Sequence, residues 1–584
     1  YCRTSPWARR PATSVSTRDW GVRSERRKRP FRAAMESRVG RARARVGGAF
    51  RRLVDALVDG AFGAVALCRR GSGRGALAPA TDPLLLMPAT SLAAKICSGE
   101  VSSESVVLAF TARIRLVAPV LQAVVDERFE AALDEARAVD RLVRGTPPDE
   151  RPALLARKPF LGVPITAKSP VGIQGLVFDA GLKCRRGVVA ERDSDAVSAM
   201  REAGAVPLAL TNVSELAMWW ESFNKLHGRT NNPYDLRRIP GGSSGGEGSL
   251  LAAAGSVLGL GTDIGGSIRM PAFFNGVFGH KPSPGLVSNG GQFPHVQGHQ
   301  VEFLGTGPLC RYAKDLAPAL AVLVGPENAR QVLRLHEPVD LKKVRVHVVA
   351  EAGRCFMMSA VHPDVRKAVK DVATHLEQRA GLQVSAAKLP SLRYAFEMWT
   401  AMMTSGDSPT FSDLLRDSGC PMSPGTELLR WMAGVSSHTF ISISLVLLER
   451  LGPAKDSATS RRLCAKADAL QRDLETLLGE DGVLLLPTHP EPAPYHRVPT
   501  FRAFNFAYTG VFNVLCLPAT ACPVGLGGKS GLPVGVQIVA ARNNDRLCLE
   551  VAAEIERAFG GWRDPGLGDA AASGPSSGVD VLSH

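Results

Sequence analysis

Two serines stand 24 residues apart in the densest glycine runs of the chain: Ser243 in Gly241-Gly-Ser-Ser-Gly-Gly-Glu-Gly248 and Ser267 in Thr262-Asp-Ile-Gly-Gly-Ser-Ile-Arg269. Loops this rich in glycine let several backbone N–H groups converge on one anion, either a phosphate or the oxyanion of an acyl-transfer intermediate. A phosphate loop would place a lysine directly before Ser or Thr, and a dinucleotide fingerprint would need a third glycine after Gly259-Leu-Gly261. The loops have neither. Acyl transfer is the chemistry left. Two shorter patterns fail on their context. Gly241-x-Ser243-x-Gly245 spells a nucleophile elbow, but it follows Leu236-Arg-Arg-Ile-Pro240 rather than an apolar strand. Ser222-Phe-Asn-Lys225 spells S-x-x-K with no K-T-G after it.

Taken together, the two loops resemble the amidase signature, and Lys168 at the end of Gly162-Val-Pro-Ile-Thr-Ala-Lys168 matches the catalytic lysine of that family. The resemblance continues through Thr230-Asn-Asn-Pro-Tyr234, Met270-Pro-Ala-Phe-Phe-Asn275, His280-Lys-Pro-Ser-Pro-Gly285 and Gly531-Leu-Pro-Val-Gly-Val-Gln537, and so covers roughly Thr81 to Trp562. Within the family, the stretch from Met218 to Gly285 is most similar to the fatty-acid amide hydrolases. The resemblance implies Ser267 as nucleophile, Ser243 as a bridging serine on a cis peptide and Lys168 as base. It also implies an oxyanion hole made by the backbone N–H groups of Ile264, Gly265, Gly266 and Ser267, with no metal and no cofactor. These roles are physically coherent. A serine hydroxyl is a poor nucleophile until a base takes its proton, and a desolvated lysine can be neutral near pH 7 and do so. A departing amine must be protonated first, and the same lysine-serine chain can return the proton.

One position departs from the family, in which an acidic residue usually follows the lysine. Here Ser169 stands there, within Ser169-Pro-Val-Gly-Ile-Gln174. Losing a neighbouring carboxylate makes the neutral amine easier to reach, so loss of activity does not follow. The substrates implied are lipophilic amides, N-acylethanolamines and primary fatty-acid amides, cleaved to fatty acid and amine. The alternatives are a short-chain amidase, a glutaminase-like amidotransferase subunit, or an inactive lipid-binding homologue. An amidotransferase subunit would need partner chains, and the intact Lys168, Ser243 and Ser267 argue against inactivity.

A frame must hold these loops. Residues Ser91 to Asp140 repeat Ala, Leu and Val at helical spacing, whereas Gly162 to Ala167 and Val206 to Thr211 are short apolar runs bounded by breakers. Similar runs recur at Val344 to Ala350, Gly482 to Pro487 and Gly535 to Ala540. The alternation predicts an α/β sheet covered by helices on both faces, and the resemblance implies the amidase-signature form of it, a large central mixed β-sheet. One region breaks the rhythm. Thr426 to Arg450 is apolar nearly all round, and its first reading is buried helical core. The alternative is an exposed cap for a membrane or lipid, carried by Trp431, Met432, Phe440, Ile441 and Leu445.

The net charge of +15 sits almost wholly at one end: residues 1–52 hold 16 Lys/Arg against 3 Asp/Glu, leaving 54 against 52 for the other residues. A basic tail without aromatic interleaving or zinc-finger spacing does not point to nucleic acid. The 11 cysteines are scattered singly with no C-x-x-C pair, which predicts neither a disulfide framework nor a zinc site and favours a reducing, intracellular compartment. No uninterrupted apolar run reaches membrane-spanning length. The nearest segment, Phe50 to Cys68, is broken by Arg51, Arg52, Asp55 and Asp59, and reads as an interfacial amphipathic helix or an ordinary surface helix. Met35 is the first methionine, so residues 1–34 are expected to be a basic leader outside the mature protein. A membrane-associating helix and Gly/Arg linker are expected over 35–80, the catalytic domain over 81–565 and a flexible tail over 566–584. The expected partners are the amide substrate, a lipid surface and a second copy of the chain.

Overall fold

The computed structural model describes residues 50–65, 73–74, 77–352, 357–451 and 454–567. The expected leader over 1–34 and most of the expected tail lie outside the described residues. In chain order the strands are β1 (Val124–Glu127), β2 (Pro164–Lys168), β3 (Val206–Thr211), β4 (Phe223–Asn224), β5 (Gly228–Arg229), β6 (Leu258–Asp263), β7 (Phe278–Lys281), β8 (Gly305–Cys310), β9 (Arg345–Val348), β10 (Gln383–Ala386), β11 (Gly482–Leu486), β12 (Ala519–Leu526) and β13 (Pro533–Ala540). Among the described residues, β4 and β5 form a small hairpin and the other eleven form one sheet, in the order β1-β3-β2-β6-β8-β7-β12-β13-β11-β9-β10. The sheet is mixed: β2 is parallel to both β3 and β6, whereas β8 is antiparallel to β6 and β7.

Alternation along the strands builds a core on each face. On β11, Val483 and Leu485 join one apolar cluster while Leu484 and Leu486 join another. The first cluster takes in the helices Ser103–Leu121, Leu316–Val324 and Asp545–Phe559, and the second takes in Ala395–Met403, Ala458–Leu478 and Ala507–Val514. A sheet buried on both sides cannot show polar alternation, which is why its strands read as short continuous apolar runs. The expected mixed sheet with helices on both faces is therefore the architecture.

Several details differ from the sequence reading. The helical periodicity from Ser91 to Asp140 belongs to three helices, Ala89–Ser98, Ser103–Leu121 and Phe129–Gly145, and is interrupted by β1. The second of these stops because Gln122 takes a left-handed conformation (φ 51°), after which Val124 pairs with Thr211 of β3. Strand β6, at the centre of the site, escaped prediction because its Leu-Gly-Leu-Gly-Thr-Asp sequence carries two glycines, which strands disfavour. Cys184 and Cys420, 236 residues apart, are joined by a disulfide, so the expectation of unpaired thiols is corrected at this pair. Linear spacing cannot reveal which distant cysteines the fold brings together.

The reading of Thr426 to Arg450 as buried core is also corrected. The helices Pro424–Met432 and Phe440–Leu451 lie on the surface, and Leu429, Met432 and Val435 are 65%, 63% and 71% exposed. Trp431 and Phe440 are exposed too, their rings 5.0 Å apart, while Ile441 and Leu445 are half-buried and line a small cavity with Met218 and Trp219. Sequence hydrophobicity cannot separate a core helix from an exposed one when both are apolar all round. Residues 50–65 form a helix that docks through Asp55 and Asp59 onto Arg502, with Phe50, Leu53 and Leu57 facing water; Cys68, Arg69 and Arg70 lie outside the described residues. Among the described residues no helix is long and apolar enough to cross a membrane.

Candidate active site

Parallel neighbours end on the same side of a sheet, so β2 and β6 deliver their last residues to one place: Lys168 from β2, and Thr262 and Asp263 from β6. The Lys168 side chain is completely buried, and its Nζ donates to Ser243 Oγ at 2.9 Å, Thr262 Oγ1 at 2.7 Å and Thr262 O at 3.3 Å. Burial pushes the amine down to about 7, against the opposing pull of the Asp263 and Glu247 carboxylates. Thr262 thus contributes two of the three acceptors. It stands inside the quoted TDIGGSIR run, but nothing in the linear pattern marks it as facing Lys168.

Ser243 follows a cis Gly242–Ser243 peptide and precedes the helix Gly245–Ala252. Ser222 holds this turn: its hydroxyl donates to Ser243 O at 3.2 Å and accepts from Gly245 N–H at 3.0 Å. Ser222 belongs to the S-x-x-K pattern set aside above. Its companion Lys225 points elsewhere, onto Ser436 O at 2.8 Å. Ser169 is fully buried beside Lys168. Its N–H donates to Thr211 O at 2.9 Å, and its hydroxyl finds no acceptor among the described residues.

The second loop is organised by Asp263. Although burial opposes it, the Arg269 guanidinium, which contacts both carboxylate oxygens at 2.9 and 3.0 Å, holds this carboxyl well below the usual range. The same carboxylate accepts from Gly266 N–H at 2.6 Å, Ile268 N–H at 3.1 Å and Asn513 Nδ2 at 2.9 Å. The Gly266 N–H, expected in the oxyanion hole, thus donates to Asp263 within the loop. The Ile264 carbonyl accepts from Trp399 Nε1 at 2.9 Å, and because C=O and N–H point oppositely across a trans peptide, the Gly265 N–H is turned to the other side. Among the described residues, the N–H groups of Ile264, Gly265 and Ser267 have no protein acceptor. Trp399 and Asn513 lie 135 and 250 residues from their partners, beyond any local motif.

Ser243, Thr262, Ile264 and Ser267 open onto one cavity of about 40 Å³ whose remaining wall is mostly apolar, with Leu216, Met218, Phe293, Leu304, Met403 and Leu414. Ser244 N–H donates to Ser267 O at 3.2 Å, tying the two glycine loops together beside it. Met218 also lines the neighbouring cavity under Ile441 and Leu445. The arrangement is a buried, weakened ammonium in contact with one serine hydroxyl, a second serine beside unengaged N–H groups, and an apolar chamber in front. It can take a proton from a hydroxyl and receive an oxyanion, with apolar side chains around the reacting groups. Among the described residues no cluster of His, Cys, Asp or Glu has the makings of a metal site.

The sequence pattern of the Amidase family matches residues 105–549. Fatty-acid amide hydrolase 2-A of Danio rerio is 49% identical over 503 residues, covering 85% of this chain and 93% of its own. Fatty-acid amide hydrolase 2 of Homo sapiens is 49% identical over 495 residues, covering 84% of this chain and 92% of its own. Among solved structures, 6-aminohexanoate cyclic dimer hydrolase bound to its substrate superposes with a TM-score of 0.67 at 26% identity, over 83% of this chain and all of that one.

Proposed function

The chain belongs to the amidase family, and from that premise we propose that it is an amidohydrolase cleaving lipophilic fatty-acid amides to fatty acid and amine through Ser267, Ser243 and Lys168. One observation carries this reading: the buried Lys168 amine lies 2.9 Å from Ser243 Oγ, and Ser243 shares its apolar cavity with Ser267. Neutral Lys168 takes the Ser243 proton, Ser243 takes that of Ser267, and Ser267 Oγ attacks the amide carbon. The oxyanion is received by the N–H groups of Ile264, Gly265 and Ser267. Ser243 then protonates the amine, the C–N bond breaks, and water hydrolyses the acyl-serine by the same proton path in reverse. The catalytic unit runs over 81–565.

Substrate class rests on the 49% identity to the fatty-acid amide hydrolases, and the apolar lining beside Ser243 and Ser267 agrees with it. The cap around Trp431, Met432 and Phe440 leaves apolar side chains in water at the surface beside the chamber, and supports enzyme action at an intracellular lipid surface. A fluorophosphonate probe tests the nucleophile: Ser267→Ala should abolish both covalent labelling and turnover of oleamide. Labelling that persists in Ser267→Ala would remove Ser267 from the role.

A further inference from the structure

Glu247 is a completely buried carboxylate that the reaction above does not use. It stands four residues after Ser243, in the first turn of the helix Gly245–Ala252, where a negative charge is favoured by the helix dipole. Its two oxygens are held by two strands: Thr166 Oγ1 of β2 donates to Oε2 at 2.7 Å and Thr211 Oγ1 of β3 donates to Oε1 at 2.8 Å. These threonines bracket the base. Thr166 precedes Lys168 by two residues and so shares its face of β2, and Thr211 is the residue of β3 paired with Lys168. The neighbouring strand makes room for the acid, since a Cβ at Gly259 of β6 would lie 2.0 Å from Glu247 Oε2. The helix also approaches β3 closely enough that a Cβ at Gly246 would lie 2.5 Å from Asn212 N.

We propose that Glu247 is a positioning residue for amide hydrolysis: it ties the start of the Ser243 helix to the strands flanking Lys168, and its charge sets the protonation of that amine. This rests on Lys168 being the base. Of the charged groups that act on Lys168, Asp263 is the other carboxylate, and its charge is taken up by Arg269 at 2.9 Å. Lys281 is also charged and acts on Asp263. Among the described residues Glu247 has no such cation: burial raises its carboxyl to about 7, opposed by the two threonine hydroxyls and by Lys168 itself. The pair therefore shares charge with little else to balance it. An ionised Glu247 favours the ammonium, and a neutral one frees the amine.

The test is the pH dependence of kcat/KM for an amide, and of the fluorophosphonate labelling rate at Ser267, in Glu247→Gln and Thr166→Val. Both variants are first checked by melting temperature. Removing the charge should move the acid limb of both profiles down by about one pH unit, with a smaller shift in the same direction for Thr166→Val, which withdraws one donor from the carboxylate. An acid limb unmoved in both variants, with rate merely lowered or unchanged, overturns the proposal, as that is what a purely structural role would give. If Glu247→Gln does not fold, Thr166→Val decides alone. Lys168→Ala separates the two levels: should it keep the acid limb, the base assignment itself has failed and the proposal with it.

Discussion

An ordinary lysine is neutral in about one molecule in a few thousand at pH 7, so an unmodified amine could not serve as a base there. Burial of Lys168 removes that limit by bringing the amine down to about 7. The reactive form is the deprotonated one, so kcat/KM should rise with pH through a midpoint near 7 and then level off. A pH–rate profile from 5 to 9 checks this. Lys168→Ala should lose the limb and at least about a hundredfold in amide turnover. Esters should suffer no more than amides, because an alkoxide departs with less help than an amine needs. An amide rate that survives the substitution would rule out the base assignment. Ser169, where the family carries an acid, fits the same balance: one more carboxylate at this point would favour the ammonium.

The helix Gly245–Ala252 carries the positioning of the site at the level of elements. It follows directly from Ser243, presents Glu247 to β2 and β3, and packs so tightly on Asn212 and Thr211 that Gly246 has no room for a side chain. Gly246→Ala puts a methyl carbon 2.5 Å from backbone nitrogen, so the helix must move and Ser243 with it. Overpacking of this kind costs about 1 to 3 kcal/mol. The melting temperature should fall by a few degrees, and activity should fall far more than stability, because a displacement of about 1 Å costs roughly a hundredfold in rate. Gly145→Ala, at a site with nothing within 4 Å, is the control and should leave both unchanged. Equal activity in the two variants would show that this helix does not hold the serine.

Across the whole molecule, the apolar chamber and the cap share Met218, which lines both cavities. Leu429 and Met432 face water on the outer helix, where they contribute little to folding, and Trp431 stays partly exposed beside them with its ring against Phe440. Each contributes ~1.5 to 3 kcal/mol when fully buried, so three together suffice for reversible binding to a lipid surface. The triple variant Leu429→Ser, Trp431→Ser, Met432→Ser should keep its melting temperature and lose about tenfold or more in co-sedimentation with phospholipid vesicles. Its KM for a long-chain amide should rise while that for a short soluble amide stays constant. Equal loss on both substrates would mean that the helices only support the chamber.

What the linear sequence determined is the chemistry held in contiguous loops. The glycine runs around Ser243 and Ser267, the lysine ending a buried strand, and the rhythm of helices and short apolar strands are local signals, and local signals survive in one dimension. What only the tertiary structure decided depends on segments far apart in the chain. Thr262 faces Lys168 because two parallel strands end side by side, and Glu247 reaches Thr166 and Thr211 on the strands beside that amine from a helix that packs across them. Gly266 gives its N–H to Asp263 because Arg269 and Asn513 fix that carboxylate within the loop. Cys184 meets Cys420 for the same kind of reason. Hydrophobicity alone could not say whether Trp431 and Phe440 pack inward or face water, since burial depends on which surfaces the other elements have already filled.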